Sequence, residues 1–187
     1  MLKINEIFYS IQGEGKYTGY PMTFIRLSGC NLNCKFCDTK HQEFNLMTIE
    51  EILEKVYYYP TPYVCITGGE PLMQDLTKLL HPLKKYYLHL ETNGTYPIPW
   101  DFQYVCISPK NKQVPYSNLV HADDIKILCG STDWEDLALY YLNQCSSISL
   151  QPLSLSPEYT NKAIQYCQHH PSNTRISIQI QKLINIK

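Results

Sequence analysis

"SGCNLNCKFCDTK", residues 28–40, sets Cys30, Cys34 and Cys37 at a C-x3-C-x2-C spacing inside a polar loop. Three thiols within eight positions are too close in sequence to be three independent core residues, and at this spacing they can wrap one metal centre. Structural zinc takes four ligands and usually shows a second C-x2-C or a histidine pair. Neither follows: Cys65, Cys106, Cys129, Cys145 and Cys167 are solitary, and His169-His170 reads as a solvated pair ending a helix. Cys65 and Cys106 alternate within apolar runs and read as small buried residues. Three ligands to a cubane cluster leave one iron open for a substrate or cofactor. The spacing therefore points to a [4Fe–4S] cluster with a vacant iron. Zinc on the three cysteines and a distant fourth stays open on these residues alone.

The rest of the chain bounds that reading. At 187 residues, 44% hydrophobic and 18% charged, it is expected to form one globular domain, 1–187. No run of eighteen apolar residues exists, and "MLKINEIFYSIQGEG" is too polar for a signal peptide. The expectation is a soluble, cytoplasmic protein with reduced thiols, no membrane association and no disulfide framework. A net charge of −1 with scattered cations offers nucleic acid no footprint. The sixteen tyrosines are ascribed to biased composition rather than to base stacking.

Outward from the cysteine loop, apolar runs alternate with helical stretches. Strands are expected at 21–28, 63–67, 86–91, 103–108, 123–129, 146–152 and 175–180. Helices are expected from Thr48, with Thr48 and Glu51 as a capping box, around "LMQDLTKLLHPL", over "TDWEDLALYYLNQC" with Thr132 and Glu135 as its box, and over "SPEYTNKAIQYCQHH". Such alternation predicts an α/β fold with a mostly parallel sheet. The length falls short of an eight-stranded barrel, so a partial (β/α) barrel of about six strands or an open sheet is expected, with its chemistry at the C-terminal strand ends. "SGCNLNC", "TGGEP", "ETNG", "SPK" and "QPLS" all fall there.

The cysteine loop, with Phe36 between its last two cysteines, resembles the radical S-adenosylmethionine superfamily. "TGGEP", Thr67–Pro71, resembles that superfamily's GGE motif; the glycine pair alone would read as a tight turn. "FYSIQGEGKYTGYPMTFIRLSGCNLNCKFCDT", residues 8–39, is similar to the N-terminus of the 7-carboxy-7-deazaguanine synthase family, and "ETNGT", "SPK" and "RISIQIQK" follow in the same order. The resemblance implies a reduced, modified partial barrel, usually a homodimer. It implies conversion of 6-carboxy-5,6,7,8-tetrahydropterin to 7-carboxy-7-deazaguanine with loss of ammonia, on the way to queuosine-type nucleosides. The implied cofactors are the [4Fe–4S] cluster, S-adenosylmethionine and Mg2+. A flavodoxin-like one-electron donor is a further expectation.

The resemblance also implies roles. Cys30, Cys34 and Cys37 would hold the cluster. Lys35, Phe36, Asp38, Gly69, Ser108, Pro109, Lys110, Gln151, Pro152, Leu153 and Ser154 match cofactor-binding positions; Lys110 alone could equally be a surface cation. Ile11, Gln12, Gly13 and Glu14 match the substrate strip, and Thr67, Glu91, Asn93 and the terminal Lys187 are further substrate candidates. Arg26, inside the apolar run "TFIRLSG", needs a partner: a substrate carboxylate suits its planar fork, and an internal ion pair with Glu14 or Glu91 is the alternative. Thr39 matches a magnesium ligand, although alone it would read as a turn residue. The tail departs from the family's Q-T-H-K pattern: Ile180 and Gln181 replace Thr and His, and Asn185 and Lys187 stand where Gly and Pro are usual. Two rivals are carried: a glycyl-radical-enzyme activase of the same superfamily, and a non-enzymatic zinc-binding module.

Overall fold

The structure is a computed structural model and describes residues 1–39, 42–130 and 133–187. Nine strands form one sheet: β1 (Leu2–Ile11), β2 (Pro21–Leu27), β3 (Asn45–Met47), β4 (Tyr63–Gly68), β5 (Tyr87–Thr92), β6 (Tyr104–Ile107), β7 (Asp124–Cys129), β8 (Ile148–Pro152) and β9 (Thr174–Ile176), in the order β3-β1-β2-β4-β5-β6-β7-β8-β9. From β2 to β9 every neighbour is parallel, whereas β1 runs antiparallel to β2 and β3. The helices are α1 (Ile49–Tyr58), α2 (Thr77–Leu83), α3 (Tyr116–Leu119), α4 (Trp134–Leu142), α5 (Pro157–His169) and α6 (Ile180–Leu183). No helix among the described residues is long and apolar enough to cross a membrane.

The seven expected strands are β2 and β4–β9, and two more stand in front of them. β3, the edge strand, and β1 beside it escape a search for apolar runs because both are largely half-buried or exposed, and β1 shifts register between Ile4 and Glu6. The last strand stops at Ile176 instead of running to residue 180. Gln179 turns away toward the barrel interior and Ile180 opens α6. The box of Thr48 and Glu51 caps α1. The expected helix at 72–83 begins only at Thr77, after a 3-10 turn over Pro71–Met73. Thr132, expected to cap the helix that is α4, lies outside the described residues.

Parallel strands with helices on both faces read as continuous apolar runs, but these alternate. Ile25, Val64, Ile66, Leu88, Leu90, Val105, Ile107, Ile125, Ile127, Ile148 and Leu150 pack outward against Ile52 and Val56 of α1, Leu79, Leu80 and Leu83 of α2, Ala138 and Tyr141 of α4 and Ala163 of α5. The other alternation carries Arg26, Thr67, Glu91, Lys126 and Gln151, and faces a central cavity. The sheet therefore curls with its helices outside, and the backbone N–H of Gly15, after β1, donates to Ser177 Oγ, after β9, at 3.1 Å.

Beneath the cavity Tyr17 packs its ring on His89 and Tyr104, at centroid distances of 4.2 and 5.0 Å. Ser149 Oγ and Arg175 bind the buried Asp124 carboxylate nearby. His89 is buried, its Nε2 has no hydrogen-bond partner among the described residues, and burial pulls its pKa from 6.5 to about 4. A depressed histidine leaves stability intact above pH 6.5 and erodes it as pH falls toward 4, because the unfolded chain takes the proton first. Between pH 7 and 4.5 this should remove about 2 kcal/mol. Urea unfolding of wild type and His89→Phe at both pH values checks it: the variant should lose less stability by that amount, and equal losses would refute the assignment.

Candidate active site

The cavity, of about 620 Å3, opens at the C-terminal ends of the parallel strands and is walled by the loops that follow them. The first wall is the cysteine loop after β2: Cys30, Cys34, Phe36, Cys37, Asp38 and Thr39 all line it. Lys35 does not, since it is exposed between two residues whose side chains take the inward positions. Gly69, Ser108, Lys110, Gln151, Pro152, Leu153 and Ser154 line the same cavity. Pro109 is buried outside the lining, turned away between Ser108 and Lys110. Ser154 and Leu155 adopt consecutive left-handed conformations, φ 53° and 56°, which non-glycine residues rarely adopt and which cluster at ligand sites.

Glu70, third residue of the GGE turn, is not in the lining. It is fully buried and accepts hydrogen bonds from Thr92 Oγ1 at 2.8 Å, the Asn93 backbone N–H at 2.7 Å and the Leu72 N–H at 3.1 Å. Burial raises its pKa against these bonds. The residue ties the end of β5 to the turn after β4, and so places Asn93 at the rim.

Whether the thiols suit a cluster can be judged from their surroundings. All eight cysteines are free. Burial raises the Cys34 thiol; the Lys110 ammonium opposes this, while Cys30 and Cys37 add to it, so the three sulfurs and the ammonium feel one another. Lys110 donates to both Ser108 oxygens at 2.7 Å, and burial, with repulsion from Lys126, lowers its pKa to about 8. Among the described residues no three histidine, cysteine or acidic side chains gather around a single ion. Tetrahedral zinc, with bonds of ~2.3 Å, needs its sulfurs only about 3.8 Å apart. Three thiols lining one cavity supply a cubane cluster with three cysteines and leave its fourth iron open.

The floor is built from charges. Ile11, Gln12, Gly13 and Glu14 line it, as do Arg26, Thr67, Glu91 and Lys187. Glu91 accepts from Thr67 Oγ1 at 2.9 Å and Gln12 Nε2 at 3.2 Å. Arg26 does form an ion pair, but with neither Glu14 nor Glu91. Its Nε donates to Glu6 Oε1 at 2.9 Å, directly across the β1–β2 ladder, and Lys187 Nζ meets the other Glu6 oxygen at 2.5 Å. Both cations lie over the Phe8 ring, which stacks on Phe24. Glu6 was not anticipated, because its strand was not. Lys126, in the middle of β7, was also missed, although a lysine inside "DIKILC" carries the same signal as an arginine inside "TFIRLSG". The tail contributes Gln179, Gln181 and Lys182, the last bridging to Asp38 of the cysteine loop at 2.9 Å.

Comparison with known proteins bears on this arrangement. The 7-carboxy-7-deazaguanine synthase of Bacteroides thetaiotaomicron is 42% identical over 190 residues, spanning all of both chains. The chain belongs to the 7-carboxy-7-deazaguanine synthase family. The Synechocystis 7-carboxy-7-deazaguanine synthase is 32% identical, covering 98% of this chain and 93% of its own. The Radical SAM superfamily model matches residues 24–101, the part that carries the cysteine loop and the GGE turn. A crystal structure of QueE from Escherichia coli superposes with a TM-score of 0.82 at 30% identity, over 95% of this chain and 93% of that one. Membership in this family brings a radical-SAM partial barrel and, with it, the [4Fe–4S] cluster and S-adenosylmethionine.

Proposed function

We propose that this chain converts 6-carboxy-5,6,7,8-tetrahydropterin to 7-carboxy-7-deazaguanine and ammonia, a carbon–nitrogen lyase step in the making of queuosine-type 7-deazapurines. The observation that carries this reading is the composition of this cavity. One wall holds three thiols beside Gly69, Lys110 and Gln151, and the floor holds Arg26, Glu14 and Glu91. Cluster and S-adenosylmethionine, when bound, supply a one-electron cleavage and a carbon radical able to take a hydrogen atom; the protein orients and shields that chemistry.

The chain's own residues have separable tasks. Cys30, Cys34 and Cys37 hold the cluster, and Lys110 places a cation beside those sulfurs. Gly69, Ser108 and the Gln151–Ser154 segment shape the cofactor's side. The Arg26 guanidinium keeps its terminal N–H groups for the substrate carboxylate while Glu6 holds its Nε. Glu91 and Asn93 read donors on the flat ring. Thr39, which lines the cavity beside Cys37, offers a hydroxyl to a magnesium ion that keeps water and substrate oxygens as its other ligands. We further propose a single cytoplasmic domain acting as a homodimer with a flavodoxin-like electron donor.

A concave cavity lined by charges suits a small polar substrate better than the flat apolar docking face an activase needs. The test is anaerobic reconstitution followed by S-adenosylmethionine, magnesium, dithionite and the pterin, with mass detection of products. 7-Carboxy-7-deazaguanine is expected. 5′-Deoxyadenosine without it would discard this substrate, and a colourless, inert protein would return the cysteines to zinc.

A further inference from the structure

A lysine in mid-strand, facing inward, is expensive to bury and persists only with a close partner. Lys126 Nζ has one in Glu14, whose Oε2 lies 2.5 Å away, with both side chains largely buried. The other Glu14 oxygen accepts from Gln179 Nε2 at 2.8 Å and Gln181 Nε2 at 2.9 Å. One carboxylate thus joins three distant pieces of chain: the strip after β1, the centre of β7, and the tail after β9. The tail also lies hard on that strip. Ile180 N–H donates to Gly13 O at 3.0 Å, and a Cβ on Gly13 would meet Gln181 Oε1 at 1.8 Å and its backbone N at 2.8 Å.

We propose that Lys126 is a positioning residue: it holds the Glu14 carboxylate, and through it the Gln179–Gln181 segment, in the arrangement that receives the pterin ring. This rests on the pterin reading given above. The charged and titratable groups around Glu14 leave Lys126 as its counter-ion. Arg26 on β2 is held by Glu6, Arg175 on β9 by Asp124, and Lys182 on α6 by Asp38. Lys110, after β6, spends its ammonium on Ser108. Asp124 on β7, Glu91 on β5, and Tyr104 and Cys106 on β6 bring no positive charge. Burial alone would raise the Glu14 carboxyl; Lys126 and the two amides instead hold it down, at about 2. Glu14 is consequently held as an anion, able to accept from substrate donors.

Removing the ammonium leaves burial opposed only by the amides, so the carboxyl climbs toward neutrality and Glu14 begins to titrate. The experiment uses reconstituted enzyme with 6-carboxytetrahydropterin from pH 5 to 8.5, comparing wild type, Lys126→Met, Lys126→Arg, Glu14→Gln and the double variant K126M/E14Q. Lys126→Met should raise KM on the order of 10-fold or more and give kcat/KM a new acid limb, while cofactor cleavage to 5′-deoxyadenosine persists. Lys126→Arg should restore the wild-type profile. In the Glu14→Gln background Lys126→Met should add nothing, because its effect passes through Glu14. The double variant, which removes both charges together, also guards against misfolding of the single one. A wild-type KM and pH profile in Lys126→Met, or a further loss on adding it to Glu14→Gln, would overturn the proposal. Absence of product from wild type would instead overturn the pterin reading.

Discussion

Arg26→Ala should raise the KM for 6-carboxytetrahydropterin by roughly 30- to several thousand-fold while leaving cofactor cleavage intact. The range corresponds to about 2–5 kcal/mol for truncating one partner of a desolvated, hydrogen-bonded charge pair, at ~1.4 kcal/mol per tenfold. The geometry explains why the loss falls on substrate. Glu6 engages only Nε of Arg26, so the terminal fork is available to a carboxylate in the cavity. The variant leaves Glu6 with Lys187, so its charge is still met. Arg26→Lys should rescue little, because an ammonium cannot satisfy Glu6 and a planar carboxylate with one fork. Single-turnover assays with and without pterin separate the effects. Wild-type KM in Arg26→Ala would remove the residue from the substrate site.

Gly68→Ala should be the most damaging small substitution in the protein. Gly68 sits at φ +140°, and a Cβ there would lie 2.1 Å from Leu27 O and 2.6 Å from Leu27 N. Both obstacles are backbone, so no side chain can swing aside. Relief requires parting β2 from β4 at the point where Gly69 N–H donates to Leu27 O and Glu70 N–H to Gly29 O, the bonds that seat the cysteine loop. A cost of about 3 kcal/mol or more is expected, with Tm lower by roughly 10 °C and iron incorporation largely lost. Gly19→Ala is the control. It shares a positive φ, of +93°, but meets nothing within 4 Å, so it should lose only ~1–2 kcal/mol and keep its iron. Iron content and melting of Gly68→Ala equal to the control would refute the steric account.

Local signals carried far along this chain. The cysteine loop and the GGE turn are contiguous, so their chemistry could be read from spacing before any strand was placed. The β2 and β4–β8 runs were legible because one side of each strand is apolar and packs on helices. The failures share a cause. β1 alternates imperfectly, since its register slips between Ile4 and Glu6, and without β1 the partner of Arg26 was sought in Glu14 or Glu91 instead of Glu6. "RISIQI" alternates well, yet the chain leaves the sheet after Ile176 because the tail is drawn toward Gly13 and Glu14. Lys35 and Pro109 lie in the same loops as the lining residues but outside the lining itself.

By itself the sequence determined the three-thiol loop, the parallel α/β class and the polar segments at the strand ends, because each depends on residues within a turn or a strand of one another. Only the tertiary structure decided which charges meet. Glu6 pairs with Arg26 through strand register, and Lys126 finds Glu14 across 112 residues, with Gln179 joining from 165 residues away. A buried charge is governed by the nearest opposite charge in space, and that distance is set only once the sheet has curled.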